Sequence, residues 1–299
     1  MSEPLVIWRL TDGKPGHMQQ TLGLVQALSA RTPCHVIDID LARERVGWLD
    51  YLLGRFPHGV ARQRPDLVIG AGHGTHVALL AARRAAGGCA VALMKPSLPL
   101  SLFDFVIAPE HDGLPESAGV INTVGVLNPM QVGEKKPDSQ LFLIGGPSKH
   151  VLWNDEAVLA QLDALVAALP PGTSWRITDS RRTPGLLSAI LRERFGERFQ
   201  PYADCPPGWL AERLAMTETV WVSADSVSMV YESLTAGCRV GLIELPPAAG
   251  DSRVMRGMAG LVETQRVTPF GEWSRHHRMF PAARLDEAGR VADLLLSKL

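Results

Sequence analysis

Short runs of β-branched and apolar residues alternate along most of the chain with longer segments whose apolar positions recur every three to four residues. Residues 5–10, 34–39, 66–70, 89–94 and 103–108 read as strands, with a shorter one at 120–124. Between them, 19–30 carries Leu22, Leu24, Val25 and Leu28 at helical spacing, and a small-residue helix ends near Ala86. The alternation resumes with a strand at 141–144, a helix from Asn154 or Asp155 to Leu169, a strand at 174–178 and a helix through Ala189 and Leu191. A short helix at 209–215 leads to a strand ending at Ser223, a helix stopped by Gly237, and a strand at 239–245. Residues 284–299 place Leu285, Ala288, Val291, Leu295 and Leu299 on one helical face. Strands alternating with helices predict an α/β chain with mostly parallel, doubly wound sheets. The polar, proline-containing stretch 133–139 reads as a linker, which divides the chain into domains at 1–134 and 135–280 and leaves 281–299 as a closing helix.

Composition fits that division. A chain of 299 residues is long for one domain, and 46% hydrophobic residues suffice for two cores. With 30 Lys+Arg against 31 Asp+Glu, no bulk affinity for nucleic acid is expected. The four cysteines, Cys34, Cys89, Cys205 and Cys238, are scattered without CxxC spacing, so free thiols and a reducing compartment are expected. No signal peptide and no run of about 18 apolar residues is apparent, which predicts a soluble, cytoplasmic protein.

The polar chemistry gathers at the ends of the strands. The loop 11–17 contains Asp12, Lys14 and His17, and the glycine-rich loop 70–76 contains His73 and His76. The glycines are not a GxGxxG fingerprint, being one residue too close together. Three histidines beside Asp12 and Lys14 suggest the wall of an active site, while their spacing is not that of a metal site. In the second half, Lys149 follows Gly145 and Gly146, Arg181 and Arg182 follow a strand, and Asp225, Ser226 and Ser228 open a helix. Arginine forks, a lysine and a helix N-terminus together are the chemistry of a diphosphate site that needs no metal. The aromatic and basic stretch 43–64 reads as a helix packed on its own sheet with arginines at its rim; contact with an anionic membrane surface is the second reading.

Four motifs in order carry a resemblance that covers nearly the whole chain. They are Asp12-Gly13-Lys14-Pro15-Gly16-His17 with Gln20, Gly145 to His150, Ser180 to Pro184, and Asp225 to Met229. They resemble those of the mitochondrial-fission Elm family and, more distantly, GT-B glycosyltransferases such as the peptidoglycan N-acetylglucosaminyl transferase. The resemblance implies two Rossmann-like domains facing across a cleft, with the last helix packing back on the first. It implies a nucleotide-diphosphate sugar as the donor, held by the second domain through Lys149, Arg181, Arg182, Ser226 and Ser228, with Glu232 reaching the ribose. His17 or Asp12 would deprotonate an acceptor that could be lipid-linked, with Lys14, His73 and His76 on the acceptor side. No cofactor is expected, and the protein would be cytoplasmic or peripheral to the inner membrane. The alternative is an adaptor that keeps the fold, and nucleotide or membrane binding, without chemistry. Some family members are labelled epimerases. Short-chain epimerases use a Tyr-xxx-Lys pair, and Tyr51, Tyr202 and Tyr231 are followed four residues on by Arg55, Pro206 and Thr235, which argues against that label.

Overall fold

The computed structural model describes residues 3–42, 46–248 and 252–299. The chain divides into two compact units, Met1–Pro129 together with Asp286–Leu299, and Met130–Leu285. The first unit contains β1 (Leu5–Thr11), α1 (Pro15–Ser29), β2 (Cys34–Asp40), α2 (Trp48–Leu52), β3 (Leu67–Ala71), α3 (His76–Ala86), β4 (Cys89–Leu93), β5 (Phe105–Pro109) and β6 (Val120–Thr123). Its six strands are all parallel, in the order β2-β1-β3-β4-β5-β6. Along β1 the side chains alternate between two cores. Ile7 packs with Leu24 and Leu28 of α1, whereas Val6, Trp8 and Leu10 pack with Leu79 and Leu80 of α3. Both faces of the sheet are therefore covered, which is why β3 and β5 are buried at every position.

The second unit contains β7 (Lys136–Leu143), α4 (Asp155–Ala167), β8 (Ser174–Thr178), α5 (Gly185–Phe195), β9 (Phe199–Gln200), α6 (Trp209–Met216), β10 (Thr217–Ser223), α7 (Val227–Thr235), β11 (Arg239–Ile243), α8 (Arg253–Glu263), β12 (Val267–Pro269) and α9 (Phe270–His276). Six parallel strands again form one sheet, in the order β12-β11-β10-β7-β8-β9. The first half of β7 is exposed and polar, so what reads as linker from Lys136 onward is the start of a central strand. The short β9 and β12, with α8 and α9, are elements that the periodicity did not announce.

The closing helix α10 (Glu287–Leu296) belongs to the first unit. Asp286 caps it by accepting the Gly289 N–H at 3.0 Å. Ala288, Val291, Ala292 and Leu295 then enter the core beside α1. Outside that core, Glu287 accepts the Val124 N–H at 2.9 Å and Arg290 donates to the Asn122 carbonyl at 2.6 Å. The four cysteines are unpaired. No helix among the described residues is long and apolar enough to cross a membrane.

Candidate functional sites at the strand ends

In the first unit, adjacent strands β1 and β3 bring two loops together. Pro15 occupies the first position of α1, where its missing N–H is no loss and its fixed φ suits the helix. That starts the helix four residues before the apolar repeat shows it and puts His17 in the first turn. His17 Nδ1 lies 2.8 Å from Asp12 Oδ2, and Lys14 Nζ lies 3.8 Å from the same oxygen. With Nδ1–H directed at the carboxylate, Nε2 is the nitrogen left with a lone pair. The backbone of the second loop passes against the ring. A Cβ on Gly72, whose φ is +76°, would stand 2.2 Å from His17 Cε1, so a side chain is excluded there.

The other two histidines part company. His73 is exposed on a short turn, while His76 at the start of α3 is buried. His76 Nδ1 lies 3.2 Å from Ser97 Oγ and its ring meets Phe103 edge-on at 5.5 Å. Burial, and then the neighbouring His73, hold its pKa below the ordinary imidazole value, which favours the neutral form of this buried ring. The Asp-x-Asp spacing of the chain, Asp38-Ile39-Asp40, lies on β2. There Asp38 forms a two-pronged ion pair with Arg9, both contacts at 2.7 Å, and Asp40 accepts the Ala42 N–H at 2.9 Å.

In the second unit, the loops after β7, β8 and β10 end three neighbouring strands and are tied to one residue, Asp225. Its side chain is fully buried. Oδ2 accepts from Arg182 at 2.7 Å and from the Gly146 N–H at 3.0 Å, while Oδ1 accepts the Ser223 hydroxyl at 2.6 Å. Ser223 Oγ in turn accepts the Gly145 N–H at 2.7 Å. Thr183 donates to the Ile144 and Gly145 carbonyls, and Arg182 donates to the Gly146 carbonyl at 3.0 Å. Neither glycine has room for a methyl group: a Cβ on Gly145 would stand 2.1 Å from Asp225 Oδ2, and one on Gly146 would stand 2.0 Å from the Arg182 carbonyl oxygen.

The residues assigned to phosphate therefore divide. Arg182 is committed to Asp225 and to carbonyls, so it holds the loops in register. Lys149 is exposed at the tip of its loop, and Arg181 is exposed with its guanidinium over Tyr202, 5.9 Å from the ring centre. Ser226 is the buried N-cap residue of α7, without a side-chain cap bond, and Ser228 is exposed in the first turn. The first backbone bond of α7 runs from Val230 N to Ser226 O, so the N–H groups of Val227, Ser228 and Met229 stand ahead of the helical ladder.

One turn beyond Ser228, on the same face, is Glu232. It is half-buried and its carboxylate has no hydrogen-bond or ion-pair partner among the described residues. Loss of hydration raises its pKa from 4.5 to about 7. Beside this edge, Ala224, Leu242, Leu245, Met255, Met258 and Val262 line a largely apolar cavity of about 400 Å³. Sequence reasoning missed two features of this site. Asp225 was read as a helix cap and is instead the hub of three loops, and the cavity depends on α8.

The comparisons with known proteins agree with this architecture. The model of the family described as mitochondrial fission ELM1 matches residues 15–299. An uncharacterized protein of Rickettsia prowazekii (strain Madrid E) is 21% identical, over 97% of both chains. Among solved structures, Acinetobacter baumannii MurG is 14% identical with a TM-score of 0.53, covering 99% of this chain and 100% of its own. The UDP-GlcNAc 2-epimerase of Methanocaldococcus jannaschii is 10% identical with a TM-score of 0.55, covering 99% and 100%. A putative UDP-N-acetylglucosamine 2-epimerase of Listeria monocytogenes is 11% identical with a TM-score of 0.62, covering 99% and 95%. The shared feature is the GT-B type of fold. Epimerases occur on it, so the missing Tyr-xxx-Lys pair argues against the short-chain kind alone.

Proposed function

The chain belongs to the mitochondrial fission ELM1 family, and from that premise we propose that it is a metal-independent GT-B glycosyltransferase with a nucleotide-diphosphate sugar as donor. The observation that carries this reading is Glu232, a half-buried carboxylate without a partner among the described residues, one helical turn from Ser228 at the start of a helix preceded by Asp225, which locks the glycine loop. A half-buried carboxyl that has lost hydration and has no protein partner among the described residues supports a place where a ligand supplies the missing donors. Two hydroxyls of a ribose are such donors. The N-terminus of α7 with Ser228, together with Lys149 and Arg181, would hold the diphosphate. The neighbouring cavity gives room for the group beyond it. Two of the structural neighbours bear the name of UDP-GlcNAc 2-epimerase, which supports a nucleotide-diphosphate sugar as the ligand class.

In transfer, the acceptor oxygen attacks the anomeric carbon as the bond from that carbon to the diphosphate breaks. The first unit supplies the base: Asp12 fixes the tautomer of His17, and Nε2 takes the acceptor proton. The leaving diphosphate gains its negative charge against the α7 N-terminus and the exposed cations.

A thermal-shift screen of nucleotides and nucleotide sugars tests the reading. A ligand at a hundred times its Kd adds about 2.7 kcal/mol to the unfolding free energy. No shift with any nucleoside diphosphate would remove the donor site. A shift without turnover on any acceptor would leave the adaptor reading, and epimerisation of the sugar without an acceptor would replace transfer. With cations and a helix terminus on the diphosphate, transfer is expected to continue in excess EDTA. Activity lost to EDTA and restored by Mg²⁺ would overturn the metal-free mechanism.

Glu232 sets a pH dependence. Its folded pKa of about 7 lies above the unfolded 4.5, so the folded state holds this proton more tightly. The stability it contributes is complete below about pH 4.5 and is lost as pH rises through 7. Ribose hydroxyls favour the ionised form, so UDP binding should tighten between pH 6 and 8 beyond any change seen for pyrophosphate. Glu232→Gln should abolish that difference and weaken UDP about tenfold at pH 8, a charged hydrogen bond being worth about 1.5–3 kcal/mol. Calorimetric titration of both ligands measures this, and equal losses for the two would mean that α7 itself had moved.

A further inference from the structure

The stretch around α2 turns its apolar side outward. Trp48, Leu49, Leu52 and Leu53 are 48, 68, 66 and 52% exposed, and Val60 is 77% exposed. The other exposed large hydrophobic side chains among the described residues are scattered along the chain. Positions 48, 49, 52 and 53 fall within one arc at about 100° per residue, so these four share a face. The segment is not loosely attached. Phe56 is buried and stacks on Trp8 at 5.5 Å, and Tyr51 lies under the Arg84 guanidinium at 5.4 Å. Asp50 closes the helix start by accepting the Gly47 N–H at 2.9 Å. The fold thus holds a tryptophan and three leucines out into water, against the usual direction of burial.

The same stretch is basic. Arg55, Arg62, Arg64 and Arg84 are exposed and have no acidic partner among the described residues. Asp50 is the one acidic residue at described positions 46–64, and it is engaged at the helix start. Arg43 and Arg45, which belong to the same basic stretch, lie outside the described residues. The whole chain carries a net charge of −1, so this positive field is local.

We propose that this face of the first unit docks on an anionic lipid bilayer, with α2 lying in the headgroup region. Tryptophan and leucine enter the boundary between headgroups and chains, and the arginines keep their heads at the lipid phosphates while their stems lie on apolar surface. Charge complementarity selects a bilayer over a second copy of the chain. Two copies meeting through this face would set unpaired arginines against each other. This proposal does not rest on the donor site. It takes up the second reading of the stretch, contact with an anionic membrane surface, and leaves its packing on the sheet through Phe56 in place.

Vesicle co-sedimentation at low salt tests it. The wild-type chain should pellet with phosphatidylglycerol vesicles, remain in solution with pure phosphatidylcholine, and release as salt rises. Each arginine near an anionic surface is worth about fivefold, so changing Arg55, Arg62 and Arg64 together to glutamate should weaken binding by about a hundredfold or more. Leu49→Ser with Leu52→Ser should also abolish pelleting, although it alters no charge. Both variants change exposed side chains, so their melting temperatures and UDP-induced stabilisation should match the wild type. Wild-type protein that ignores anionic vesicles would overturn the proposal. So would a dimer in light scattering that the leucine variant converts to a monomer while vesicle binding never occurs.

Discussion

His17→Ala is expected to lower kcat of the proposed transfer by about 10²–10⁴-fold, the range for loss of a positioned general base. The expectation rests on one contact, the 2.8 Å approach of Asp12 Oδ2 to His17 Nδ1, which leaves Nε2 as the basic atom. The side chain of His17 is 18% exposed and that of Asp12 10%, so the dyad is shielded and still reachable. Asp12→Asn should lower kcat by a smaller factor at nearly unchanged KM for the donor, because it frees the ring to take the wrong tautomer. Donor affinity should survive both changes, since the residues assigned to the donor belong to the second unit. Calorimetric titration with UDP beside steady-state kinetics separates these effects. Full kcat in the alanine variant would take the base role away from His17.

The largest stability effect is expected at Asp225. Its fully buried carboxylate receives Arg182, the Gly146 N–H and the Ser223 hydroxyl. Alanine there strands all three donors, and breaking a buried ion pair from one side costs about 3–5 kcal/mol. For a unit of this size that corresponds to a fall of roughly 10 °C in Tm. Nucleotide stabilisation should vanish with it, because the glycine loop and the 180–184 loop are positioned through this residue. Arg182→Ala alone should cost less, its side chain being 42% exposed. The double variant should cost less than the two single losses added together, as coupled partners do. Chemical denaturation of the four proteins measures the cycle. An Asp225→Ala protein that unfolds like the wild type would mean that the loops hold their register without it.

The Asp225 network also shows where reading from sequence stops. The parallel sheets were legible because buried strands write themselves as continuous apolar runs, as in β3 and β5, and because glycine-rich loops punctuate their ends. The partners of Asp225 were not legible. Gly146 and Arg182 are distant in sequence, so local spacing shows a capping residue and nothing of the hub. The desolvation of Glu232 likewise comes from tertiary packing. In α8 the helical pattern is interrupted by Gly257 and Gly260, and β12 is three residues long and ends in proline. Those elements fell below the signal that periodicity carries. At β7 the polar opening Lys136-Pro137-Asp138 imitated a linker, because the first residues of a central strand can project beyond the sheet's covered area.

The placement of α10 bears on the order of assembly. The first unit is discontinuous: its sheet is built from residues before Pro129, yet Val291, Ala292 and Leu295 complete the core around Ile7 and Leu24. The second unit is one unbroken segment. During synthesis the second unit can close its sheet while the first still exposes an apolar stripe on α1, β3 and β4. Closure of the first unit must then bridge almost the full length of the chain, although an already folded second unit shortens the effective loop. The vulnerable species on this route is a nascent chain with a finished second unit and an open first one, and its lifetime is set by the arrival of α10.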